Sequence, residues 1–436
     1  MSEASRKGRY DNVEMEAVRR LVGEVHAFHG QRALAILEGA IGAKKPSLRI
    51  LFWFTRALAS WRLANALMLA GVVLIHPALR KIDGEPCGFA FGLSANNQRA
   101  FDRLRAVIAS ADRQRLYVNG RSASIADRGR VLASWVKVWS TAGILADAAQ
   151  TSPLVHIQSV IACAVFIAHR VHRLPPSTRV ICVANDHAPA CLGVLAAARL
   201  QEVRTCYIQH APVTEYFPPL SFDLSILYDR SSVLAYEKAA SAKGGTGSPA
   251  VAILSPFDNP FRRPGPVPIP MRIGVCLSLL LERQGLEQML TALSRHPNVA
   301  AILLRPHPRC QAAHSRLLGI GKVAMQPIGM SAAAYFESVD LVLAPNSGII
   351  VEALHSGRPT FYTPQVDKVG VDYYGFAQAG IVPVFNISDL DCPNRLSEFF
   401  DDAWISRYSA YDETVSCSSD EAGRKVAAAF ESLMNS

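Results

Sequence analysis

The chain has 436 residues, of which 50% are hydrophobic and 19% are charged. This length favours two domains over one, and the apolar content is sufficient for a core in each. The formal net charge of +9 favours an anionic small ligand or an anionic membrane surface as partner. Nucleic-acid binders concentrate Lys and Arg with aromatic residues on one element. Because this sequence has no such run, we expect no nucleic-acid partner.

Nine cysteines are present without C-x-x-C spacing, and their odd number argues against a disulfide framework. Cys182, Cys206 and Cys276 lie inside apolar runs, which is typical of buried thiols. Residues 1–12 are polar and unlike a signal peptide. These features predict a protein of the reducing cytoplasm.

Residues 1–86 are predicted to form an N-terminal helical extension. Val18, Leu21, Val22 and Val25 recur at three- and four-residue spacing, as residues do on one face of a helix.

The apolar run from Ala64 to Leu79 is a candidate membrane contact. Trp53 and Trp61 precede it, and arginines flank it. A spanning helix needs roughly 20 apolar residues, and this run is shorter and is interrupted by His76-Pro77. Three interpretations stay open: a buried core helix, an interfacial helix on anionic lipid, and a membrane span. The second would place the protein peripherally on the inner face of the membrane.

From residue 87 onward, strand and helix patterns alternate, which predicts a first lobe with a parallel sheet over residues 87–258. Its strands are predicted over residues 88–93, 115–118, 179–183, 205–208, 224–227 and 250–254, and its helices over 96–110, 129–173, 189–200 and 233–242.

A stretch with six prolines, residues 256–270, predicts a stiff linker, which we place at 259–270. The alternation then restarts and predicts a second lobe over residues 271–388. Its strands are predicted over 271–277, 299–304, 341–343 and 360–362, with helices over 286–295 and 348–356 and a helical return before residue 341. Residues 389–436 are predicted to be mostly helical. Together these patterns predict an α/β fold of two Rossmann-like lobes that face each other across a cleft.

Two motifs follow strands of the predicted second lobe. Arg305-Pro306-His307-Pro308 follows the strand at 299–304, and Asn346-Ser347-Gly348 follows the strand at 341–343. In open α/β sheets, ligands bind beyond the C-terminal ends of the strands. An imidazole, a guanidinium, a hydroxyl and the amides of a helix start are suited to a diphosphate or phosphodiester.

The first motif and a nearby serine have both functional and structural interpretations. His307 can donate to a phosphate oxygen, and Pro308 ends the strand and fixes the backbone. Arg305 can hold phosphate oxygens or pair with a neighbouring carboxylate. Ser278 follows the first strand of the second lobe, and we weigh a phosphate contact there against an ordinary loop serine.

The second motif opens a helix. Ser347 is a suitable helix cap, and Gly348 allows a ligand to approach the backbone. Asn346 precedes them at the strand end. Glu352, one turn into the helix, can accept hydrogen bonds from ribose hydroxyls or can simply favour the helix dipole.

Candidate bases lie in the first lobe, at the ends of two predicted strands. The two candidates are Asp186, which follows one strand with His187 next to it, and His210, which follows the next strand. A carboxylate or an imidazole in this position can remove a proton from an acceptor hydroxyl. Glu215 is a third candidate for the base.

These motifs resemble those of known transferases. The Glu352-Ala353 … Gly357 … Pro359 run resembles the ribose-binding end of the donor domain in GT-B glycosyltransferases. Arg305-x-His307-Pro308 followed by Asn346-Ser347 resembles the motifs of bacterial sialyl-, polysialyl- and Kdo transferases. It is also similar to the Arg-x-His-Pro motif of CDP-glycerol glycerophosphotransferases. Tyr207-Ile208-Gln209-His210-Ala211 resembles their strand-end histidine, with Ala211 where Gly is usual.

The resemblance implies a GT-B fold and an inverting, metal-independent glycosyl transfer. The donor would be a CMP-linked 2-keto-3-deoxy sugar acid, Kdo or similar to sialic acid, and the acceptor a surface glycan or glycolipid of capsule or lipopolysaccharide. His307, Asn346 and Ser347 would hold the CMP phosphate, and Asp186 or His210 would act as base. No cofactor beyond the donor is implied, and no metal.

Three other functions stay open at this point. One is a polyol-phosphate transferase that uses a CDP-alditol, and a second is a UDP-sugar 2-epimerase of the same fold. The third is a non-catalytic scaffold associated with a membrane. The Asp389-Leu390-Asp391 sequence lies beyond the donor lobe and is interpreted as a polar helix start.

Overall fold

The computed structural model describes residues 3–29, 46–77, 79–82, 87–92, 94–108, 116–118, 120–149, 152–242, 250–257, 259–278, 280–307, 315–416 and 419–436. In the first half of the chain the helices are α1 (Glu3–His29), α2 (Pro46–Leu58), α3 (Arg62–Ile75), α4 (Ala95–Val107), α5 (Ile125–Ala133), α6 (Trp135–Asp147), α7 (Pro153–His172), α8 (Pro189–Arg199) and α9 (Arg230–Ala242). The strands are β1 (Arg80–Lys81), β2 (Gly88–Phe91), β3 (Leu116–Val118), β4 (Arg121–Ser122), β5 (Val180–Val183), β6 (Arg204–Ile208), β7 (Leu224–Leu227) and β8 (Ala250–Ile253).

In the second half the strands are β9 (Met271–Cys276), β10 (Val299–Arg305), β11 (Val323–Met325), β12 (Leu341–Ala344) and β13 (Thr360–Tyr362). The helices are α10 (Arg283–Arg295), α11 (Ala332–Glu337), α12 (Ile349–His355), α13 (Pro393–Glu398), α14 (Asp402–Tyr411) and α15 (Ser419–Asn435), with 3₁₀ turns at Ser315–Gly319, Pro364–Val366, Ile387–Asp391 and Glu413–Val415.

The first sheet is parallel, with six strands in the order β3–β2–β5–β6–β7–β8. Its central strands are continuous apolar runs, and all four residues of β5 are buried, as expected for a parallel sheet covered on both faces. Val183 of β5 pairs with Tyr207 of β6. The segments that follow these two strands therefore lie side by side at one edge of the sheet.

The second sheet is also parallel, with five strands in the order β11–β10–β9–β12–β13. Strand β9 lies at its centre, between β10 and β12. The segments that follow β9, β10 and β12 therefore share one edge.

The N-terminal helices pack on the first lobe. Helices α1 and α3 contact α7, and α7 contacts α8 beside the sheet. Val18, Leu21 and Val25 are buried in this core, in agreement with their helical spacing. Among the described residues, α7 alone is long and apolar enough to cross a membrane, and 67% of its apolar window is buried inside the protein.

The chain returns to the first lobe at its C-terminus. Helix α15 packs beside α4, β7 and β8, and its residues Val426, Phe430 and Leu433 are buried in the same cluster as the strands. This last helix therefore ties the end of the second lobe to the first.

The C-terminal edges of the two sheets face each other. Pro212, after β6, lies so close to Gly348, after β12, that a Cβ on the glycine would be 3.0 Å from the proline Cδ. The rings of Tyr216 and Tyr373 stack across the same junction, with centroids 6.0 Å apart. The predicted α/β fold of two facing lobes with parallel sheets is confirmed.

Three local predictions differ from the structure. The predicted helical extension over residues 1–86 contains the strand β1, which pairs antiparallel with β4. The helical return before residue 341 contains the short strand β11 as well as α11. The region 129–173, predicted as one long helical stretch, is divided into α5, α6 and α7. Ser134 ends α5, and the Ser152 hydroxyl accepts a hydrogen bond from the Val155 amide at the start of α7.

Candidate functional site

Asp186 and His187 form a hydrogen-bonded pair just after β5. The His187 Nδ1 lies 2.7 Å from the Asp186 Oδ1. Because a carboxylate accepts, Nδ1 carries the proton of this bond, and in the neutral tautomer with that proton Nε2 is an acceptor. Asp186 is buried, whereas the His187 side chain is 24% exposed. The histidine is therefore the member of this pair that solvent or a substrate can reach.

The second oxygen of Asp186 is also occupied. The Tyr236 hydroxyl, on α9, donates to Asp186 Oδ2 at 2.7 Å and lies 3.1 Å from the Tyr207 hydroxyl. Burial raises the pKa of Tyr236 well above its ordinary value, and the Asp186 charge adds to this. The phenol therefore stays protonated and keeps donating to the carboxylate.

Backbone contacts fix the orientation of His187. The Asn185 Oδ1 accepts from the amides of His187 and Ala188, at 3.1 and 2.6 Å. The imidazole ring packs edge-on against Phe217, with centroids 5.1 Å apart. Phe217 follows Tyr216, which stacks on the second lobe. His187 is thereby linked through two ring contacts to the opposite side of the junction.

His210 follows β6, next to a rigid glutamine. The buried Gln209 amide donates to Ala211 O and Ser232 Oγ, and its oxygen accepts from the Tyr228 amide. His210 is half-buried beside this network.

Glu215, the third candidate base, lies on the surface of the first lobe. Its side chain is 50% exposed and lies 3.9 Å from Lys238.

Asn346 holds the loop that follows β13. Its Nδ2 donates to Tyr362 Oη at 3.0 Å and to Val371 O at 2.7 Å, and its Oδ1 accepts from the Tyr373 amide at 2.8 Å. These bonds use both ends of the amide. Asn346 therefore positions the segment that carries Tyr373, the residue stacked on Tyr216.

Ser347 and Gly348 lead into α12. The N-cap of this seven-residue helix is Gly348, one residue later than the serine cap expected from the sequence. The Ser347 hydroxyl accepts weakly from the Ile349 amide at 3.4 Å. Gly348 has an ordinary helical φ of −58°, so what requires glycine there is the contact with Pro212.

The first motif lies at the end of β10. The Arg305 Nη1 donates to Gln326 Oε1 at 2.5 Å and to Met330 O at 3.3 Å, and the guanidinium lies 5.2 Å from the Tyr335 ring centroid. Its hydrogen-bond partners are thus uncharged oxygens, while the carboxylate that interacts with its charge is that of Glu352. His307 is half-buried two residues further on. Pro308 lies outside the described residues.

Glu352 lies on α12 among cations from both lobes. Burial raises the pKa of Glu352, and Arg305, Arg99 and Arg103 oppose that shift. Arg99 and Arg103 belong to α4 of the first lobe. The carboxylate thus faces positive charge across the junction.

Two buried hydroxyls follow the two strands that flank β12. Ser278 follows β9, and Thr363 follows β13. Their Oγ atoms are buried and have no hydrogen-bond partner among the described residues. Buried polar groups without partners are uncommon, and a catalytic role, an ordered water or a bound ion can account for them. The sequence did not single out Thr363 as a site residue. Its position directly after a strand, similar to that of Ser278, is the signal that could have indicated it.

A metal site needs several suitable ligands close together. Among the described residues, no group of three or more His, Cys, Asp or Glu is arranged to hold an ion. Asp389 accepts from the Asn386 amide at 2.9 Å, and Asp391 lies 3.1 Å from His296. The Asp-x-Asp sequence is therefore used in local structure.

No protein-family model matches the chain, and no curated protein matches it. CalG4, the calicheamicin glycosyltransferase, is 11% identical, and the match covers 81% of this chain and 99% of that one with a TM-score of 0.48. The glycosyltransferase of kitacinnamycin is 13% identical over 80% of this chain and 100% of that one, with a TM-score of 0.46. Os79 from O. sativa in complex with UDP is 11% identical over 80% and 98%, with a TM-score of 0.44. At these values the likeness decides neither donor nor acceptor, and the fold is assigned from the two sheets.

Proposed function

We propose that the chain is an inverting glycosyltransferase that uses a nucleotide-linked sugar and whose base is His187. The observation that carries the proposal is the 2.7 Å hydrogen bond between His187 Nδ1 and the buried Asp186. A buried carboxylate behind an imidazole fixes its tautomer and stabilises the cation formed when it takes a proton. Asp186 is then a positioning residue.

The reaction follows from this arrangement. The Nε2 of His187 removes the proton of an acceptor hydroxyl while that oxygen forms its bond to the anomeric carbon. The bond from that carbon to the phosphate oxygen breaks, and the electron pair leaves with the nucleotide. The departing phosphate requires preplaced hydrogen-bond donors and positive charge, a role we give to His307 and Ser347 with Gly348. Asn346 orders the loop around them.

The donor class rests on the motif resemblance. We propose a CMP-linked 2-keto-3-deoxy sugar acid as donor and a glycan or glycolipid as acceptor, with the enzyme on the cytoplasmic side of the membrane. Ser278 and Thr363 are the buried hydroxyls nearest in topology to the motif on β12, and we assign them as further donors to the nucleotide.

The test compares His187→Ala with His210→Ala, Asp186→Asn and His307→Ala. Transfer and nucleotide release are measured with CMP-, CDP- and UDP-linked donors, and nucleotide affinity by calorimetry. His187→Ala should lower transfer by about 10²–10⁴-fold with unchanged nucleotide affinity. His307→Ala should lower transfer by about 10²-fold or more and weaken nucleotide binding.

A matched control is His296→Ala, because His296 also pairs with an aspartate but lies at the opposite edge of its sheet, before β10. It should leave transfer unchanged. Transfer by His187→Ala within about tenfold of the parent, well inside the general-base contribution, would remove His187 from this role. Turnover of a UDP- or CDP-linked donor alone would replace the proposed donor and leave the base assignment intact.

A further inference from the structure

Helix α2 presents three large apolar side chains to solvent. Ile50, Trp53 and Phe54 are exposed at 61%, 65% and 50%, and Trp61 continues the row just past the helix end at 62%. Thr55, by contrast, is buried. A surface helix of a globular protein normally turns its apolar stripe inward and its polar face outward. Here the aromatic face points outward.

Helix α3 continues the same pattern. Leu63, Leu67 and Leu74, spaced by four and seven residues, are exposed at 57%, 62% and 51%, whereas Leu69 and Val73 on the other side are fully buried. A helix that is apolar all round is normally enclosed on every side or faces lipid. Among the described residues, only one side of α3 is covered by the rest of the protein.

The start of α6 extends this surface. Arg62, at the start of α3, donates from Nε to Trp139 O at 2.9 Å, and its guanidinium lies 4.7 Å from the Trp139 ring centroid. Trp139 stacks on Trp135 at 5.9 Å. Trp135 and the next residue, Val136, are exposed at 46% and 78%. We call the exposed side chains of α2, α3 and the start of α6 the outer apolar surface.

Cations lie beside both ends of α3. Arg56 and Arg62 are exposed near its start. Near its end, Lys81, Arg121 and Arg130 surround the single buried carboxylate of Asp127 at 3.7, 3.2 and 3.7 Å. Three cations around one anion leave a positive excess there. Helices that lie in the headgroup region of anionic bilayers have this composition, with exposed Trp and Leu bordered by Arg and Lys.

The dimensions favour a helix that lies on the bilayer over one that crosses it. The 14 residues of α3 extend for about 21 Å, short of the hydrocarbon core of about 30 Å. Helix α7 is long enough, but most of its apolar window is enclosed by the rest of the protein.

We propose that the outer apolar surface docks on an anionic lipid bilayer, with α2 and α3 in the plane of the headgroups. The bordering arginines favour this occupant over a second copy of this chain, because two such basic surfaces would repel each other. The proposal is independent of the transfer reaction, since it concerns the side of the first lobe formed by its N-terminal helices.

The experiment uses the full chain and vesicles of phosphatidylcholine, alone or mixed with an equal part of phosphatidylglycerol. The protein should sediment with the mixed vesicles at low salt and much less with phosphatidylcholine alone. Its tryptophan emission should shift to the blue as the exposed indoles enter the lipid. High salt should weaken the binding, because ions screen exposed charges.

Trp53→Asp and Leu67→Asp should each lower vesicle partitioning by about tenfold or more, since burying one large apolar side chain contributes at least that factor. Leu318→Asp is the matched control, because Leu318 is 47% exposed on the second lobe, and it should leave partitioning unchanged. Circular dichroism should show that all three variants are folded.

Several results would overturn the proposal. Absence of binding to the mixed vesicles at low salt is one, and equal partitioning of Trp53→Asp, Leu67→Asp and the parent is another. A dimer that Leu67→Asp disrupts, without vesicle binding by the parent, would assign the surface to a second copy instead. If salt did not change the binding, the flanking cations would have no part in it, and the preference for an anionic bilayer would be wrong.

Discussion

Polar side chains at the strand ends are held by partners from distant parts of the chain. Asp186 accepts from Tyr236, and Asn346 bonds the backbone at Val371 and Tyr373. Each such bond contributes modestly to stability, but loss of one partner leaves the other desolvated without compensation. The geometry of the candidate site therefore depends on residues that touch neither donor nor acceptor.

At this scale we predict the effect of Tyr236→Phe. The substitution removes the hydroxyl that donates to Asp186 Oδ2 and leaves ring packing in place. It should lower the free energy of unfolding by about 1–3 kcal/mol, because a buried carboxylate oxygen loses its donor. Transfer should also fall, because Asp186 then holds His187 less firmly. Urea denaturation measures the first effect, and the rate of nucleotide release measures the second.

Tyr216→Phe is the matched control. Tyr216 is 48% exposed, and its ring keeps the stack on Tyr373 after the hydroxyl is lost. We expect a change in unfolding free energy within about 0.5 kcal/mol, as for surface substitutions. Equal losses of stability in the two variants would show that the hydrogen bond from Tyr236 to Asp186 contributes no more than a surface hydroxyl does.

At the scale of elements, helix α12 joins the second lobe to the first. Its N-cap Gly348 contacts Pro212, and its His355 ring stacks on Phe257 with centroids 4.1 Å apart. The His355 Nε2 also lies 2.7 Å from the carbonyl oxygen of Asn259 in the linker. A short helix between motif and linker thus sets the spacing of the lobes.

We predict that Gly348→Ala impairs transfer more than folding. The added Cβ would lie 3.0 Å from Pro212 Cδ and 3.1 Å from its Cγ, so the lobes must move apart by a few tenths of an ångström. Overpacking costs about 1–3 kcal/mol in a rigid core, but a junction between lobes can yield. Transfer should fall by about tenfold, because small displacements of reacting groups are costly, with a loss of unfolding free energy below about 1 kcal/mol.

Pro212→Ala in the same chain removes both contacting ring atoms and should restore most of the transfer rate. The two substitutions should therefore be coupled by at least about 0.5 kcal/mol in a double-mutant cycle. Gly129→Ala, in α5 with nothing within 4 Å of its added Cβ, is the control and should raise stability by up to about 1 kcal/mol. Unchanged transfer in Gly348→Ala would show that this spacing does not matter.

The sequence predicted most elements because parallel strands are continuous apolar runs bounded by turns. Strand β11 was missed because its three residues form an edge strand, partly exposed, with no apolar run or alternation to distinguish them. The site was predicted in part for a similar reason. Motif positions follow strand ends, but Asp186 and Tyr236 are 50 residues apart, and no local pattern pairs them. The sequence likewise could not show which faces of α2 and α3 are exposed, because this depends on which side of each helix α7 covers.

At the scale of the whole molecule, the two lobes also meet at the start of α9. Asp229 of the first lobe lies close to Tyr411 and Asp412, which end α14 of the second. Asp229 Oδ1 accepts from Ser231 Oγ and from the amide and hydroxyl of Ser232, all at 2.7–2.8 Å. Burial, the largest cause, and the Asp412 carboxylate raise the pKa of Asp229 from 3.8 to about 6. Burial likewise raises the pKa of Asp412.

The sign of the pH effect follows from the raised pKa of Asp229. Between about pH 4 and pH 6 the folded chain holds a proton that the unfolded chain has released, so the free energy of unfolding falls as pH rises through this window. Above pH 6 the loss of unfolding free energy is complete and amounts to about 3 kcal/mol. The stabilising state is the protonated one, and it is lost as the pH approaches neutrality.

We therefore predict that Asp229→Asn gains about 3 kcal/mol of unfolding free energy relative to the parent between about pH 4 and pH 7. An amide oxygen can accept the same three hydrogen bonds, so the variant keeps the local structure. The measurement is urea denaturation of both chains at each pH.

The opposite control is Asp223→Asn. Burial acts to raise the pKa of Asp223, but hydrogen bonds from Thr205 and Arg204 outweigh it and lower the pKa. That variant should lose stability relative to the parent as pH rises. A stability difference between Asp229→Asn and the parent that stays constant from pH 4 to pH 7 would show that this carboxyl is not strained by its burial between the lobes.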